Sequence, residues 1–282
     1  MVGSMEIGTA SAEETAVFRE WAHAEGWNPG HSDALALRAA DPRGFLVGRL
    51  DGRPVSLVSA VRYGTGHGFL GFYLTRPDQR GRGHGSRLWQ AAVHRLAGRN
   101  VGLDGVVAQQ ENYRRSGFRR AWTHLRYEGA PPADAPAGVT LVDGRTVPFG
   151  RLADLDRRFF PAPRDAFLAL WTSLPGHRAL ATVRDGRLDG FAVARPAEHG
   201  TRIGPLYADS PETALALLVG VTAGAPPGDP VVLDVPDVNP RAVRLAEDLG
   251  LRPTFACARM YTGPVPELDT DCLYATTTLE LG

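Results

Sequence analysis

Residues 75–86 read Thr-Arg-Pro-Asp-Gln-Arg-Gly-Arg-Gly-His-Gly-Ser, and they hold the types and spacing most suited to chemistry. An apolar run ends at Thr75, Pro77 stops it, glycines recur at 81, 83 and 85, and an amphipathic stretch opens at Ser86. That order predicts a strand, an anion-sized loop and a helix start. Such a loop aims several backbone N–H groups at one point, and glycine leaves no Cβ in an anion's path. The helix N-terminus behind it favours an anion by roughly 0.3–1 kcal/mol when exposed. Arg80 and Arg82 add full charges. The stretch reads as a diphosphate cradle. It is not a Walker loop, because no Lys-Ser/Thr follows the last glycine. Nor is it a Rossmann fingerprint, in which the first glycine follows the strand directly; here Arg-Pro-Asp-Gln intervenes.

The elements that must position this loop are legible on either side of it. The 282 residues are enough for one large domain or two of half that size, and a 43% hydrophobic share supports a packed core. Before the loop the spacing predicts a helix over 11–26, with Ser11 as cap and Glu14 at the capping-box offset, and a second over 32–40. Strands follow over 44–50 and 54–63, joined at Asp51-Gly52, and over 68–75. After the loop come a helix from Ser86, a strand over 102–108, a short helix over 111–116 and a strand over 118–127. The run Gly129-Ala-Pro-Pro-Ala-Asp-Ala-Pro-Ala-Gly138 has no periodic pattern and reads as a linker. Beyond it the plan repeats more weakly: helices over 152–160 and 165–173, strands over 179–183 and 190–195 around Asp185-Gly186, and a strand over 202–208. A helix over 212–222, a strand over 231–235, a helix over 240–249 capped by Asn239 and strands over 254–261 and 273–281 complete it. The fold class is α/β (α+β), with two mixed, mostly antiparallel units covering 1–129 and 139–282 and a linker at 130–138.

Composition removes other functions. Acidic and basic residues balance at 31 each, so no global field favours nucleic acid or a membrane surface. Every basic residue is arginine, which excludes lysine-based covalent chemistry. Cys257 and Cys272 belong to no Cys/His cluster, so no metal site is expected. No apolar run approaches the roughly 20 residues of a membrane span. The opening Met-Val-Gly-Ser-Met-Glu lacks a basic-then-apolar signal pattern, and residues 1–4 fit a cloning remnant ahead of Met5. A cytoplasmic protein, monomer or homodimer, is the expectation.

With these residues in view, the chain resembles the GNAT superfamily of acyl-CoA-dependent N-acetyltransferases. Arg80-Gly81-Arg82-Gly83-His84-Gly85, after a strand ending Tyr73-Leu74-Thr75, matches the superfamily's Gln/Arg-x-x-Gly-x-Gly/Ala loop. Asn112-Tyr113-Arg-Arg-Ser-Gly117-Phe118 places a tyrosine four residues before Gly-Phe, as the family's catalytic tyrosine lies. The whole chain looks like the tandem arrangement. In the second half the corresponding strand runs into Asp209-Ser-Pro-Glu-Thr213, whose carboxylates repel a diphosphate, and Ala246 stands where a tyrosine is needed. That half is expected not to catalyse.

The resemblance implies a mechanism. Acetyl-CoA is the co-substrate, bound by Arg80, Gly81, Arg82, Gly83, His84, Gly85, Ser86 and Asn112. Backbone N–H groups of Tyr73, Leu74 and Thr75, freed where the strand parts from its neighbour, meet the pantetheine amides and the oxyanion. Tyr113 is the general acid to the departing thiolate. Trp27, Asn28 and His31 lie on the turn forming one wall of the acceptor site. Glu25, His31, Asp33, His67 and Glu111 are candidates for the base, although the solvated-surface reading outweighs it for each, and a water chain is the alternative. The acceptor is a primary amine on a small molecule; a protein or peptide amine, or a non-catalytic acetyl-CoA sensor, are the alternatives. A groove closed by the second half indicates a small molecule, and an open-ended one a peptide.

Overall fold

The computed structural model describes residues 4–282; Met1-Val2-Gly3, within the stretch read above for a signal pattern, lie outside the described residues. The first half runs β1 (Glu6–Thr9), α1 (Ala12–Ala24), α2 (Asp33–Ala40), β2 (Phe45–Leu50), β3 (Arg53–Tyr63), β4 (His67–Thr75), α3 (His84–Arg95), β5 (Asn100–Val106), α4 (Gln110–Arg115) and β6 (Arg119–Gly129). The second runs β7 (Leu141–Asp143), α5 (Phe149–Asp156), α6 (Asp165–Ser173), β8 (Arg178–Arg184), β9 (Arg187–Pro196), β10 (Thr201–Ala208), α7 (Pro211–Thr222), β11 (Val231–Pro236), α8 (Pro240–Asp248), β12 (Arg252–Tyr261) and β13 (Leu273–Ala275). The expected helices and hairpins are present. α1 begins with the capping box read from the sequence: Ser11 accepts from the Glu14 N–H while the Glu14 side chain accepts from the Ser11 N–H. β1 and β7 escaped the sequence reading because each is short and neither holds a buried residue. α3 starts two residues early, at His84, directly after Gly83 at φ 81°, which offers no side-chain cap. The strand expected over 273–281 is corrected to three residues, after which the chain leaves the ladder.

All strands form one sheet in the order β1-β2-β3-β4-β5-β12-β6-β11-β10-β9-β8-β7, with β13 paired to β10. The two halves therefore exchange strands. β12, from the second half, pairs antiparallel with β5, and β6, from the first, pairs antiparallel with β11 and β12. Alternation explains why this works. Ala258 and Met260 of β12 pack beneath α3 with Leu88, Ala92 and Leu103, whereas Tyr127 of β6 packs with α7 and α8. The opposite face of both halves carries one shared core, in which Phe18, Phe45, Phe72, Phe160, Phe167 and Trp171 are buried under α1, α2, α5 and α6.

Charges cross the exchanged strands inside this sheet. Asp104 of β5 takes a bidentate pair from Arg259 of β12 (2.9 and 2.7 Å) and a bond from His124 of β6 (2.9 Å). Asp234 of β11 takes Arg126 of β6 (2.8 and 3.2 Å) and Arg202 of β10. All six are buried or walled in, so each charge depends on its partner. Although burial alone raises a carboxyl, Arg126 and Arg202 hold Asp234 far below the usual range, and Arg259 with His124 lower Asp104.

The terminal segment joins the halves once more. After β13, Thr276 donates to the Asp234 carbonyl (3.0 Å), and the carbonyls of Thr276 and Thr277 lie against Gly204 of β10. Further on, the Glu280 carbonyl lies against Gly71 of β4, where any Cβ would collide with it. Tyr63 donates to the Leu281 carbonyl (3.2 Å), and Arg164, paired with Asp156, donates to Gly282 (2.7 Å).

Replacing Asp234 with alanine leaves two buried guanidiniums uncompensated and should cost about 3–5 kcal/mol. Urea denaturation reads this as a lower midpoint; an unchanged midpoint removes the network from the forces holding the halves together.

Candidate active site

β4 is built to break away from β5. The two strands pair in parallel from His67↔Asn100 to Leu70↔Leu103 and no further. Against β3 the register slips, Ser59 facing Gly71 and Leu57 facing Leu74, so β4 carries a bulge at Phe72-Tyr73. Phe72 has φ 47°, which in a bulky residue costs on the order of 1–3 kcal/mol. Burial of its ring against Phe18 (centroids 5.7 Å apart) and Phe45 offsets that strain. Beyond Leu70 the β5 side of β4 has no strand partner, and Tyr73, Leu74 and Thr75 line a cavity there.

The loop after β4 uses its glycines for two reasons. Gly81 (φ 77°) and Gly83 (φ 81°) adopt the left-handed conformation in open space. Gly85 has an ordinary backbone, but a Cβ there would stand 2.8 Å from Thr75 Oγ1 and 3.0 Å from the Tyr73 hydroxyl. The α3 N-terminus has no side-chain cap, so its first-turn N–H groups have no side-chain acceptor. Arg82 and Ser86 are exposed and His84 is half-buried at this end. Arg80 is folded back: it donates to the Thr75 carbonyl (3.0 Å) and pairs with Glu25.

The cavity has a volume of ≈ 520 Å³, within the range of a small-molecule site. Its near wall is an aromatic row, Tyr73 on Trp89 (5.1 Å) on Tyr113 (5.4 Å). Tyr113 lies over β5 because residue 105 is glycine; a Cβ would sit 2.6 Å from its ring. Burial raises the Tyr113 hydroxyl well above its ordinary range, with Tyr73 and Cys257 adding to the effect. The phenol therefore stays protonated across neutral pH. The floor is the exchanged seam, with Asp104, Arg126, Phe255 and Cys257, and the last wall is Leu279-Glu280.

Trp27 reaches the cavity through the buried charges. Its carbonyl accepts from both Arg126 (2.9 Å) and Arg202 (3.0 Å). Burial, and then Arg126, push the Arg202 guanidinium down to about 10, still charged at neutrality.

The other candidates have partners of their own. The Asn28 amide is spent on the His199 backbone, donating to its carbonyl (2.7 Å) and accepting from its N–H (3.0 Å). His31 faces Glu198 (3.4 Å) outside the cavity lining. Asp33 is buried between the Gly30 N–H and Arg195. Glu111 is exposed and pairs with Arg114 and Arg115. Asn112 is exposed and donates to Gln109 (2.6 Å). His67 sits at the far end of β4, among Tyr63, Phe160 and Tyr261. Burial and Arg259 push it down to about 4, so it is a neutral packing residue.

Sequence reasoning missed Trp89, Asp104, Arg126, Phe255, Cys257 and Glu280 as lining. The period of two in β12 places Phe255 and Cys257 on one face, but only pairing with β5 and β6 brings that face to the cavity. Asp104, His124 and Cys257 approach as metal ligands do, yet Arg259 already occupies Asp104.

The second half holds the same bulge without an opening. β10 pairs with β11 only from Thr201 to Ile203, and β13 then fills the gap by pairing at Leu206 and Tyr207. α7 is capped by Ser210, which accepts from the Thr213 N–H (3.2 Å), and Asp209 pairs with Arg158.

Known proteins bear on this geometry. Residues 12–118 match the model of the Acetyltransferase (GNAT) family, and residues 152–275 match that of an Acetyltransferase (GNAT) domain. A holothin acyltransferase from Pseudoalteromonas sp. (strain SANK 73390) is 32% identical over 275 residues, 97% of this chain and 93% of that protein. A putative acetyltransferase from Pyrococcus horikoshii superposes with TM-score 0.83 at 21% identity, covering 99% of this chain and 96% of that one. A tandem GNAT protein from the clavulanic acid biosynthesis pathway superposes with TM-score 0.65 at 18% identity, over 93% of this chain and 100% of that one.

The histidine assigned to packing carries a pH signature. The folded pKa of His67 lies below the ordinary value of 6.5, so below that pH the unfolded chain binds a proton that the folded one refuses. Stability should be full above about pH 6.5 and fall toward pH 4. His177, also lowered by burial, adds to the decline. His67→Gln should flatten it in thermal melts across that window; an unaltered decline contradicts the assignment.

Proposed function

The chain belongs to the GNAT acyltransferase family, and from that premise we propose that it moves the acetyl group of acetyl-CoA directly onto a primary amine of a small molecule. The carrying observation is the bulged β4, which parts from β5 beside a glycine loop and an uncapped helix end. Donors left without a strand partner need an acceptor, and a pantetheine arm supplies one. Gly81, Gly83, Gly85 and the first turn of α3 fit a diphosphate, with Arg82, His84 and Ser86 beside it. Arg80 serves by fixing Thr75 and Glu25. Residues 1–129 carry the cofactor cradle; residues 139–282 line part of the cavity and hold no second cradle, since β13 fills their own split.

The chemistry then follows. N–H groups of Tyr73, Leu74 and Thr75 stabilise the oxyanion; a preorganised donor of this kind typically contributes about 3–4 kcal/mol. The amine nitrogen attacks the thioester carbon, the C–S bond breaks, and Tyr113 gives its proton to the departing sulfur. The acceptor enters a cavity walled by Trp27, Phe255, Leu279 and Glu280. The cavity wall contributed by Phe255, Leu279 and Glu280 favours a small molecule over a peptide, and so does the relative named for holothin.

Thiol release from acetyl-CoA, followed over a panel of small amines and lysine peptides, should register the amines and not the peptides. Tyr113→Phe should lower kcat by about 100-fold or more and leave the acetyl-CoA Kd within a few-fold. Unchanged turnover removes Tyr113 from proton transfer. Acetyl-CoA binding without turnover of any amine replaces the enzyme reading with that of a sensor.

A further inference from the structure

Glu25, Asp104 and Glu280 are the carboxylates that line the cavity, and their partners differ. Arg80 neutralises Glu25. Asp104 is taken by Arg259 on both oxygens and by His124 on one. Among the described residues no arginine or histidine pairs directly with Glu280; the Thr278 hydroxyl is its side-chain partner. Yet Glu280 is only 5% exposed, so its carboxylate sits in a pocket, not in solvent.

Its place in the fold is equally specific. The Glu280 backbone lies against Gly71, one residue beyond the last β4–β5 pair, where the strands begin to part. Arg164 and Tyr63 hold the segment on its far side through Gly282 and Leu281. The Thr278 hydroxyl accepts from the Glu280 N–H (3.3 Å) and donates to its carboxylate, fixing the side-chain direction. Arg126 and Arg202 lie within Coulombic reach, so the carboxylate stands beside positive charge without being bound by it. Tyr113 lines the same cavity.

Resting on the acetyl-transfer reading, we infer that Glu280 is the general base of the reaction, a catalytic residue that the second half delivers into the site of the first. The acceptor amine gives its lone pair to the thioester carbon, forming the C–N bond. One nitrogen proton passes to a Glu280 carboxylate oxygen. The C–S electron pair leaves with sulfur, which takes the Tyr113 proton. Solvent then returns a proton to Tyr113 and removes one from Glu280, leaving amide and free thiol. This assignment gives the second half a chemical part although it has no cofactor site, and it explains why the chain leaves the ladder after β13.

The test uses the full chain with acetyl-CoA and whichever amine the wild type turns over best. Glu280→Gln keeps shape and removes the base; kcat should fall by about 100-fold or more, with acetyl-CoA KM and thermal midpoint unchanged. Glu280→Asp, a carboxylate one methylene shorter, should recover part of that loss. Turnover of Glu280→Gln within about three-fold of wild type overturns the assignment, since a general base typically contributes 10²–10⁴-fold. Equal loss in both variants together with lost acetyl-CoA binding also overturns it, because the role is then structural. A wild type that releases no thiol with any amine sinks the acetyl-transfer reading itself, and this assignment with it.

Discussion

β12 lies between β5 and β6, and on that placement the rest of the molecule depends. Neither half completes its sheet alone: β5 has its edge covered by a strand from the second half, and β11 by one from the first. An exchange of this kind needs a reason to prefer the foreign strand. Apolar alternation supplies part of it, setting Met260 under α3 and Tyr127 under the helices of the second half. Buried charge supplies the specificity. Asp104 with Arg259, and Asp234 with Arg126, are pairs that form only in this register. Any slip strands an ion away from water, which costs several kcal/mol.

The same exchange places chemistry. Arg126 and Arg202 reach past Asp234 to the Trp27 carbonyl, so the network that joins the halves also sets one wall of the cavity. The halves share a bulge, at Phe72-Tyr73 in β4 and at Gly204-Pro205 in β10, but they use it oppositely. In the second, β13 fills the split and Ser210 caps the helix that follows. In the first, the split stays open and its helix end uncapped. One terminal segment closes the second split and then borders the first. Residues of both halves thus line one cavity.

Legibility followed sequence distance. The glycine loop was readable because its constraints are local: positive φ at 81 and 83, a close approach at 85. Tyr113 was readable from its offset to Gly117-Phe118, and the Ser11 and Asn239 caps from side chains acting within three residues. Pairing was not readable, since β12 can complete either sheet on pattern alone. Hence the sequence placed Asn28 and His31 on the turn after α1 but not their partners, which lie about 170 residues away, at His199 and Glu198. Phe72 gave no sign of its left-handed backbone, which its neighbours impose. Glu280 stood in a run of threonines and leucines with no motif around it.

In the proposed reaction one half holds the nucleotide thioester while the other walls the acceptor. Calorimetric titration of acetyl-CoA into the intact protein tests it most directly. A single saturable event with one equivalent per chain is the predicted outcome. Two equivalents per chain, or no heat across millimolar ligand, would contradict it.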